Sequence, residues 1–439
     1  MVRGRDALSP LAAAVIGICM TLVAATFTAQ ASRVAAEEGW PPPVELSQSG
    51  DGTSRGPELA RQQNGDLHVL WMEPRTVTET SPYSYTVYYA RSDDRGGNWT
   101  YSVPLTPAGS HRYEAAMDVD PYGVVHAVWR ERPDSDWLRY GQLLGDAWSA
   151  PTTITRTEMM TRYISSPDLV ATTDFLHVVW SETNFGPTGA SSQLDVFYSR
   201  SESGEAWTPA TTTVETKATS LGARVAADTA GHLHLVWEEN TSPRQIYYIS
   251  GTVGATETVW SKPVTISASL SEHATTPDIA VGADDRVHVV FGVDVAGLQY
   301  VQGIYYASFP ATATGDISAT LIPHSAVTIS QLLPTYASPA VALLGTDEVH
   351  VAWNGMMGAD YSDRIYCALS PDAGVTWSHP VAVSPRDVWP DGFPSLAADE
   401  QFVHLVWQEK VSGVDQDIYY ARRFPARTRV LFPLAAKAN

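Results

Sequence analysis

Between residues 40 and 423 the chain is a succession of short apolar runs separated by Gly, Pro, Asp and Asn, and nothing after residue 32 sustains a helical period. The most regular run carries a histidine. It appears as DLHVLW at His68, VVHAVW at His126, FLHVVW at His177, HLHLVW at His234, RVHVVF at His288, EVHVAW at His350 and FVHLVW at His404, at intervals of 51 to 62 residues. Such spacing marks one supersecondary unit used repeatedly, and a unit of this size cannot cover its own apolar faces.

Within a unit the order is constant. A short run comes first, as in PELA at Pro57, PDLVA at Pro167, PDIAV at Pro277, PAVAL at Pro339 and PSLAA at Pro394. A turn, the His run and a polar loop of variable length follow. Next comes a Tyr-rich run such as VYYARS, VFYSRS, IYYIS, IYYAS, IYCALS or IYYARR, with a looser RYGQLL at Arg139 in the second unit. Val, Ile, Tyr and Trp at this density, bounded by turn formers, predict short antiparallel strands. The fourth run opens on Trp, at Trp99, Trp148, Trp207, Trp260 and Trp377; in the fifth unit, which lacks the Trp, SAVTIS at Ser325 is the expected strand. The seventh unit stops after IYYARR, yet WPPPVELS at Trp40 matches WSHPVAVS at Trp377 position by position. The pattern therefore predicts an all-β, seven-bladed β-propeller of four-stranded antiparallel blades, closed by an N-terminal strand that completes the last blade. A ring left unjoined would expose sheet edges.

Composition adds the compartment. A net charge of −20 weighs against nucleic acid and anionic membrane as partners and fits a secreted or cell-surface protein. Residues 1–31 read as a signal peptide, from Arg3 and Arg5 through the apolar run 11–28 to Ala29-Gln30-Ala31; an uncleaved membrane anchor is the other reading. Residues 32–39 form a linker, 40–423 the propeller, and 424–439 a tail holding Arg427, Arg429 and Lys437. That tail resembles C-terminal sorting tails of some secreted bacterial proteins, or is a frayed end packed under one blade. Cys367 would be the one cysteine of the mature chain, a small core filler in IYCAL. A monomer with no membrane span after cleavage is expected.

Two turns carry a recognisable pattern: Ser92, Asp94, Gly96 and Trp99, with Asn98 at the Thr position, and Ser370, Asp372, Gly374, Thr376 and Trp377. SESGEAW at Ser201 is a shorter, degenerate copy. Asp can accept backbone N–H groups inside such a turn, Gly allows its tight conformation, and Trp plugs into the blade. These turns resemble the Asp-box, or BNR repeat, of the sialidase superfamily. The resemblance implies a propeller in which the Asp-box serves the fold, on the face away from the active site. The match to a sialidase active site is slight. The resemblance implies an F/Y-R-I-P motif ahead of the first Asp-box, where Ser54-Arg55-Gly56-Pro57 keeps only Arg and Pro. It also implies an acid/base Asp in the following loop, where Glu73 and Glu79 are the only acids. Sialidases have six blades, against seven here.

The repeated His residues, and the Glu of the Trp-x-Glu step at Glu73, Glu131, Glu182, Glu239 and Glu409, read as parts of the fold, since function breaks a repeat's symmetry. No metal site or cofactor is expected. Asymmetric residues in the loops entering the first strand are the site candidates: Arg55, Arg112, Tyr113, Arg162, Tyr163, His273, Tyr336, Trp389 and Asp391. Loops leaving the second strand add Asp136, Asn184 and Asn240. Arg, carboxylate and aromatic groups together suit a polyol or acidic sugar. The expected function is a ligand-binding module for carbohydrate, with no catalytic residue assigned. The alternatives are an exo-acting glycoside hydrolase of sialidase type and a protein-binding scaffold.

Overall fold

The computed structural model describes residues 40–47, 54–75, 84–100, 102–106, 111–132, 135–157, 163–184, 193–294, 301–313, 315, 317–325, 327–328, 338–356, 363–385, 392–412 and 415–424. The chain divides into Met1–Pro42 and Pro43–Asn439, and the fold lies in the second unit. The apolar run 11–28, the linker and the tail beyond Phe424 lie outside the described residues. Among the described residues no helix is long and apolar enough to cross a membrane.

Seven antiparallel sheets follow one another. The first is Arg55–Arg61, Leu67–Arg75, Ser84–Ser92 and Val103–Pro104; the second is His111–Val119, Val125–Arg132, Trp137–Leu144 and Thr152–Arg156. The third is Ile164–Ala171, Leu176–Asn184, Gln193–Ser201 and Thr211–Val214; the fourth is Ser220–Ala227, Leu233–Glu239, Gln245–Val253 and Val264–Thr265. The fifth is Ala274–Val281, Arg286–Asp294, Val301–Pro310 and Thr320–Leu321; the sixth is Ala340–Leu344, Glu348–Met356, Asp363–Ser370 and Val381–Ala382. The seventh is Ser395–Ala398, Val403–Ser412 and Asp415–Arg423, with Val44–Glu45 on its outer edge. Consecutive first strands touch, and the first strand of sheet seven touches that of sheet one. The architecture is a seven-bladed β-propeller with first strands innermost.

The fifth sheet corrects one expectation. Its fourth strand is Thr320–Leu321, opposite Tyr305 and Tyr306, and not the segment at Ser325. Pro323 and His324, the latter in a left-handed backbone (φ 61), lie between that strand and Ser325. Val327–Thr328 instead bridges sheets five and six. Ser325 still does what its counterparts do: its hydroxyl accepts the N–H of Ile304 at 3.0 Å, as Ser267 accepts Ile246, Ser384 accepts Ile365 and Thr106 accepts Val87.

The same part is supplied to sheet seven from the start of the chain. Val44 and Glu45 oppose Tyr420 and Tyr419, Leu46 N–H bonds Ile418 O at 2.7 Å, and Ser47 Oγ accepts Ile418 N–H at 2.8 Å.

Each second strand is covered on both faces by neighbouring sheets, which is why Leu233–Glu239 is buried at every position. The core His sits there and bonds through Nδ1 to a Tyr hydroxyl on the third strand of its own sheet. The pairs are His68–Tyr89, His126–Tyr140, His177–Tyr198, His234–Tyr248, His288–Tyr306 and His404–Tyr420, at 2.6 to 2.8 Å. Sheet six breaks the pattern because Cys367 occupies the Tyr position, opposite Ala352; His350 turns to Glu348 at 2.8 Å. The Glu of Trp-x-Glu accepts the Trp indole N–H at Glu73, Glu182, Glu239 and Glu409.

The Asp-box-like turns form the hydrogen bonds their residues allow. Asp94 Oδ1 takes Asn98 N–H (2.7 Å) and Ser92 Oγ takes Gly96 N–H (2.8 Å); Asp372 and Ser370 repeat both, to Thr376 and Gly374. Their Trp does not plug its own blade alone. It meets edge-on the core Tyr of the preceding sheet: Trp99 on Tyr420, Trp377 on Tyr306, and likewise Trp148, Trp207 and Trp260 on Tyr89, Tyr140 and Tyr198.

The N-terminal strand pairs with the outer edge of sheet seven, and Ser47→Ala tests whether that pairing helps to hold the ring closed. Losing the hydroxyl leaves the Ile418 N–H unmet and should cost about 1–2 kcal/mol in urea unfolding, as much as Ser384→Ala in sheet six. A silent Ser47→Ala beside a destabilising Ser384→Ala would mean the segment is not part of the ring.

Candidate functional site

The inner strands put charges around the ring's axis. Glu58, Asp168, Arg224 and Asp278 hold one register position in sheets one, three, four and five, two residues before the partner of each core His. The equivalent residues in sheets two, six and seven are Ala116, Ala340 and Ser395. An innermost strand has an edge without a ladder partner, so its N–H groups need acceptors. Side chains of the preceding sheet provide them. Asp168 Oδ2 accepts Val225 N–H and Asp278 Oδ2 accepts Val341 N–H, both at 2.8 Å. Ser395 Oγ accepts Leu59 N–H (3.1 Å), Asp118 accepts Ala171 N–H (2.8 Å) and Glu114 accepts Ser166 N–H (2.6 Å).

These side chains are half-buried on the innermost strands. Burial pushes Glu58 up to about 7, against the pull of Arg224. It pushes Asp118 up to about 7 and Asp278 to about 6, and raises Asp168 and Glu114 as well. Burial disfavours the charge of Arg224 too, but Asp168, Glu58, Asp278 and Glu114 outweigh it and hold the guanidinium protonated. One cation thus sits among four carboxylates gathered from four sheets.

At the mouth on the loop-bearing face the second sheet supplies a denser network. Arg130, buried, donates to both oxygens of buried Asp136 at 3.1 Å, and Asp136 also accepts Ile164 N–H. Arg130 lies 4.0 Å from the ring of Tyr163, which is 40% exposed. Arg139 binds Glu131 at 3.1 Å and, with Arg156, flanks Trp137 at 4.9 and 5.5 Å. Across the mouth, Arg244 binds Glu238 at 3.2 Å while its N–H reaches His273 Nδ1 at 3.1 Å.

Of the sequence candidates, Arg55 is exposed and 5.7 Å from the Tyr85 ring, Tyr163 stacks on Arg130, and His273 is exposed beside Arg244. No hydrogen bond, ion pair or ring contact joins these three among the described residues. Arg112 and Tyr113 lie on the first strand of sheet two, opposite Glu131 and Arg130. Arg162, Tyr336, Trp389 and Asp391 fall outside the described residues. Sequence reasoning passed over the channel charges. The available signal was a charged residue after the strand-opening Pro in PELA, PDLVA and PDIAV, inside otherwise apolar runs. Among the described residues no group of three or more His, Cys, Asp or Glu is placed to hold a metal ion.

No family model matches the chain, and no curated protein does. Solved structures do match. A Dyadobacter fermentans protein of unknown function aligns with a TM-score of 0.51 at 12% identity, over 87% of this chain and 98% of its own. The endosialidase of phage phi92 aligns with a TM-score of 0.51 at 10% identity, over 91% of this chain and 71% of its own. At such identity the likeness is one of fold: the chain is a propeller similar to that of a sialidase-type protein.

The channel carboxyls and the core histidines pull stability in opposite directions with pH. Glu58, Asp118 and Asp278 bind protons more tightly folded than unfolded, so their contribution falls as pH rises from the ordinary carboxyl range through about 7. His68 is pushed down to about 4, and His177 and His288 to about 3 and 4, so theirs falls as pH drops below the ordinary His value of 6.5. The two windows overlap between the ordinary carboxyl range and pH 6.5, so there the opposed contributions offset each other. Glu58→Gln should stabilise the protein on the alkaline side, where Glu58 is ionised, and leave it unchanged near pH 5, where it is neutral. Equal effects at both, measured by urea unfolding, would contradict the assignment.

Proposed function

We propose that the protein is a secreted carbohydrate-binding propeller that holds a polyol or acidic sugar on its loop-bearing face without cleaving it. The observation that carries this is the network on sheet two. Tyr163 and Trp137 are aromatic surfaces flanked by Arg130, Arg139 and Arg156, and Asp136 and Glu131 hold Arg130 and Arg139 in turn. A fixed aromatic face beside polar groups accepts the C–H face of a sugar ring and its hydroxyls with little ordering cost. Secretion is part of the proposal and rests on the leader-like residues 1–31.

Binding is favoured over hydrolysis because Arg130, Arg139 and Arg244 each engage a carboxylate of the chain itself. A sialidase-like site needs its arginines for the substrate. A hydrolase reading draws on Glu114, whose carboxyl burial lifts above the usual range beside Arg130 and Asp136. The endosialidase of phage phi92 supports the ligand class through shared fold, which does not transfer activity.

A glycan array paired with fluorogenic glycoside reporters separates these readings. The chain should bind at least one glycan and release no fluorophore, and Tyr163→Ala or Trp137→Ala should weaken binding about tenfold. Turnover lost in Glu114→Gln would establish the hydrolase instead. Silence in both assays would favour a protein-binding scaffold.

A further inference from the structure

The opposite face of the ring holds a cavity of about 360 Å³ where sheets six, seven and one meet. Its walls come from the turns joining first and second strands: Arg61 from sheet one, Leu343 and Leu344 from sheet six, and Ala398 and Asp399 from sheet seven. Arg95, in the Asp-box-like turn of sheet one, completes them. In a chain of charge −20, two guanidinium groups line this cavity, together with the carboxylates of Asp399 and Glu400.

The two arginines are used differently. Arg95 is committed: it donates to Asp399 Oδ2 at 2.5 Å and to Asn64 O at 3.1 Å. Asp399 is committed in return, its Oδ1 accepting the N–H groups of Gln401 and Phe402. Arg61 makes one hydrogen bond to the described protein, from Nη1 to Gln62 O at 2.8 Å, and none to a carboxylate. Its other donors have no partner among the described residues. Burial works against its charge; Asp399 favours it and Arg95 opposes it. With Asp399 balanced by Arg95, the half-buried charge of Arg61 is left over. Glu400 lies at the rim, exposed, where water screens it.

We infer that this cavity is an anion site that takes a carboxylate or sulfate group. Arg61 supplies the charge and the open donors, and Leu343, Leu344 and Ala398 accept the apolar body of a small organic anion. A planar guanidinium with free donors matches an oxyanion in two-point geometry, which a lone ammonium would not. The site is separate from the sugar-binding face and does not rest on that reading. Because its walls come from three sheets on either side of the joint between the last and the first, an occupant would also hold the ring together.

The test is isothermal titration of the full chain with sulfate and with glucuronate, against chloride and glucose at matched ionic strength. Sulfate binding alone would assign an inorganic anion, and tighter glucuronate binding an organic one. Either supports the site if Arg61→Met weakens it about tenfold or more while Lys262→Met, which removes the same charge from an exposed position elsewhere, leaves it unchanged. Should Arg61→Met fail to fold, Leu344→Glu places a repelling carboxylate in the wall and should abolish binding. The inference is overturned if neither oxyanion binds beyond chloride, if Arg61→Met or a folded Leu344→Glu binds as the parent does, or if Lys262→Met weakens binding equally.

Discussion

A sheet whose two faces are both apolar has to be covered twice, and in this chain every covering surface is the next copy of the same sheet. The contact that achieves it is the core Tyr laid on the following sheet's turn. Tyr420 rests against Gly96 and meets Trp99 edge-on; Tyr306 rests against Gly374 and meets Trp377; Tyr140 rests against Gly204 and meets Trp207. The hydroxyl serves two sheets at once. Tyr306 takes the His288 imidazole on one side and donates to Ala373 O on the other, and Tyr420 does the same between His404 and Arg95 O. The His is therefore a support for the Tyr, and the Tyr is the joint between blades except at sheet six, where Cys367 takes its place.

Closing the ring brings inner strand edges face to face around a narrow channel, and that constraint places the charges. Backbone N–H groups along those edges require acceptors, and short carboxylates of the preceding sheet reach them. Burial disfavours the charged form of these carboxyls and their neighbours' charges add to it, so the channel raises their proton affinity, and Arg224 offsets part of the effect. The loop face is free of this symmetry, and its arginine–aromatic contacts differ from sheet to sheet: Tyr163 and Trp137 lie beside Arg130, Arg139 and Arg156 around sheet two, and Arg55 lies beside Tyr85 on sheet one. The solved structures that share the fold share the joint's architectural problem; they do not determine what the loops hold.

The fold was legible because each element of the joint leaves a residue behind. The His run, the Tyr-rich run and the Trp recur at fixed order, and the Val44 segment carries the fourth-strand pattern although it lies far from sheet seven in the chain. Thr320–Leu321 was misplaced because the fifth unit has no Trp to fix register and because two residues, Pro323 and His324, precede Ser325. Substitution of Tyr by Cys367 was visible, but the consequence, His350 turning to Glu348, depends on a side chain two residues away on the same strand. The channel charges were hidden for a different reason. Glu58, Asp168 and Asp278 each look like an ordinary strand-end acid alone, and only the ring brings them to one axis. Arg55, Tyr163 and His273 were found as separate exposed residues, since loop sequence gives type without position.

The joint is tested most directly by comparing two glycines that share a left-handed backbone but not a neighbour. Gly96 has φ +81 and a Cβ there would overlap the hydroxyl end of Tyr420; Gly145 has φ +65 and nothing within 4 Å. Both alanine substitutions carry a backbone cost of about 1–2 kcal/mol. Gly96→Ala must also displace Tyr420 from the seam between the last and first sheets, a further cost of about 1–3 kcal/mol. In urea unfolding the account predicts a clearly larger loss for Gly96→Ala than for Gly145→Ala. Equal losses would show that the blades are not held by this contact.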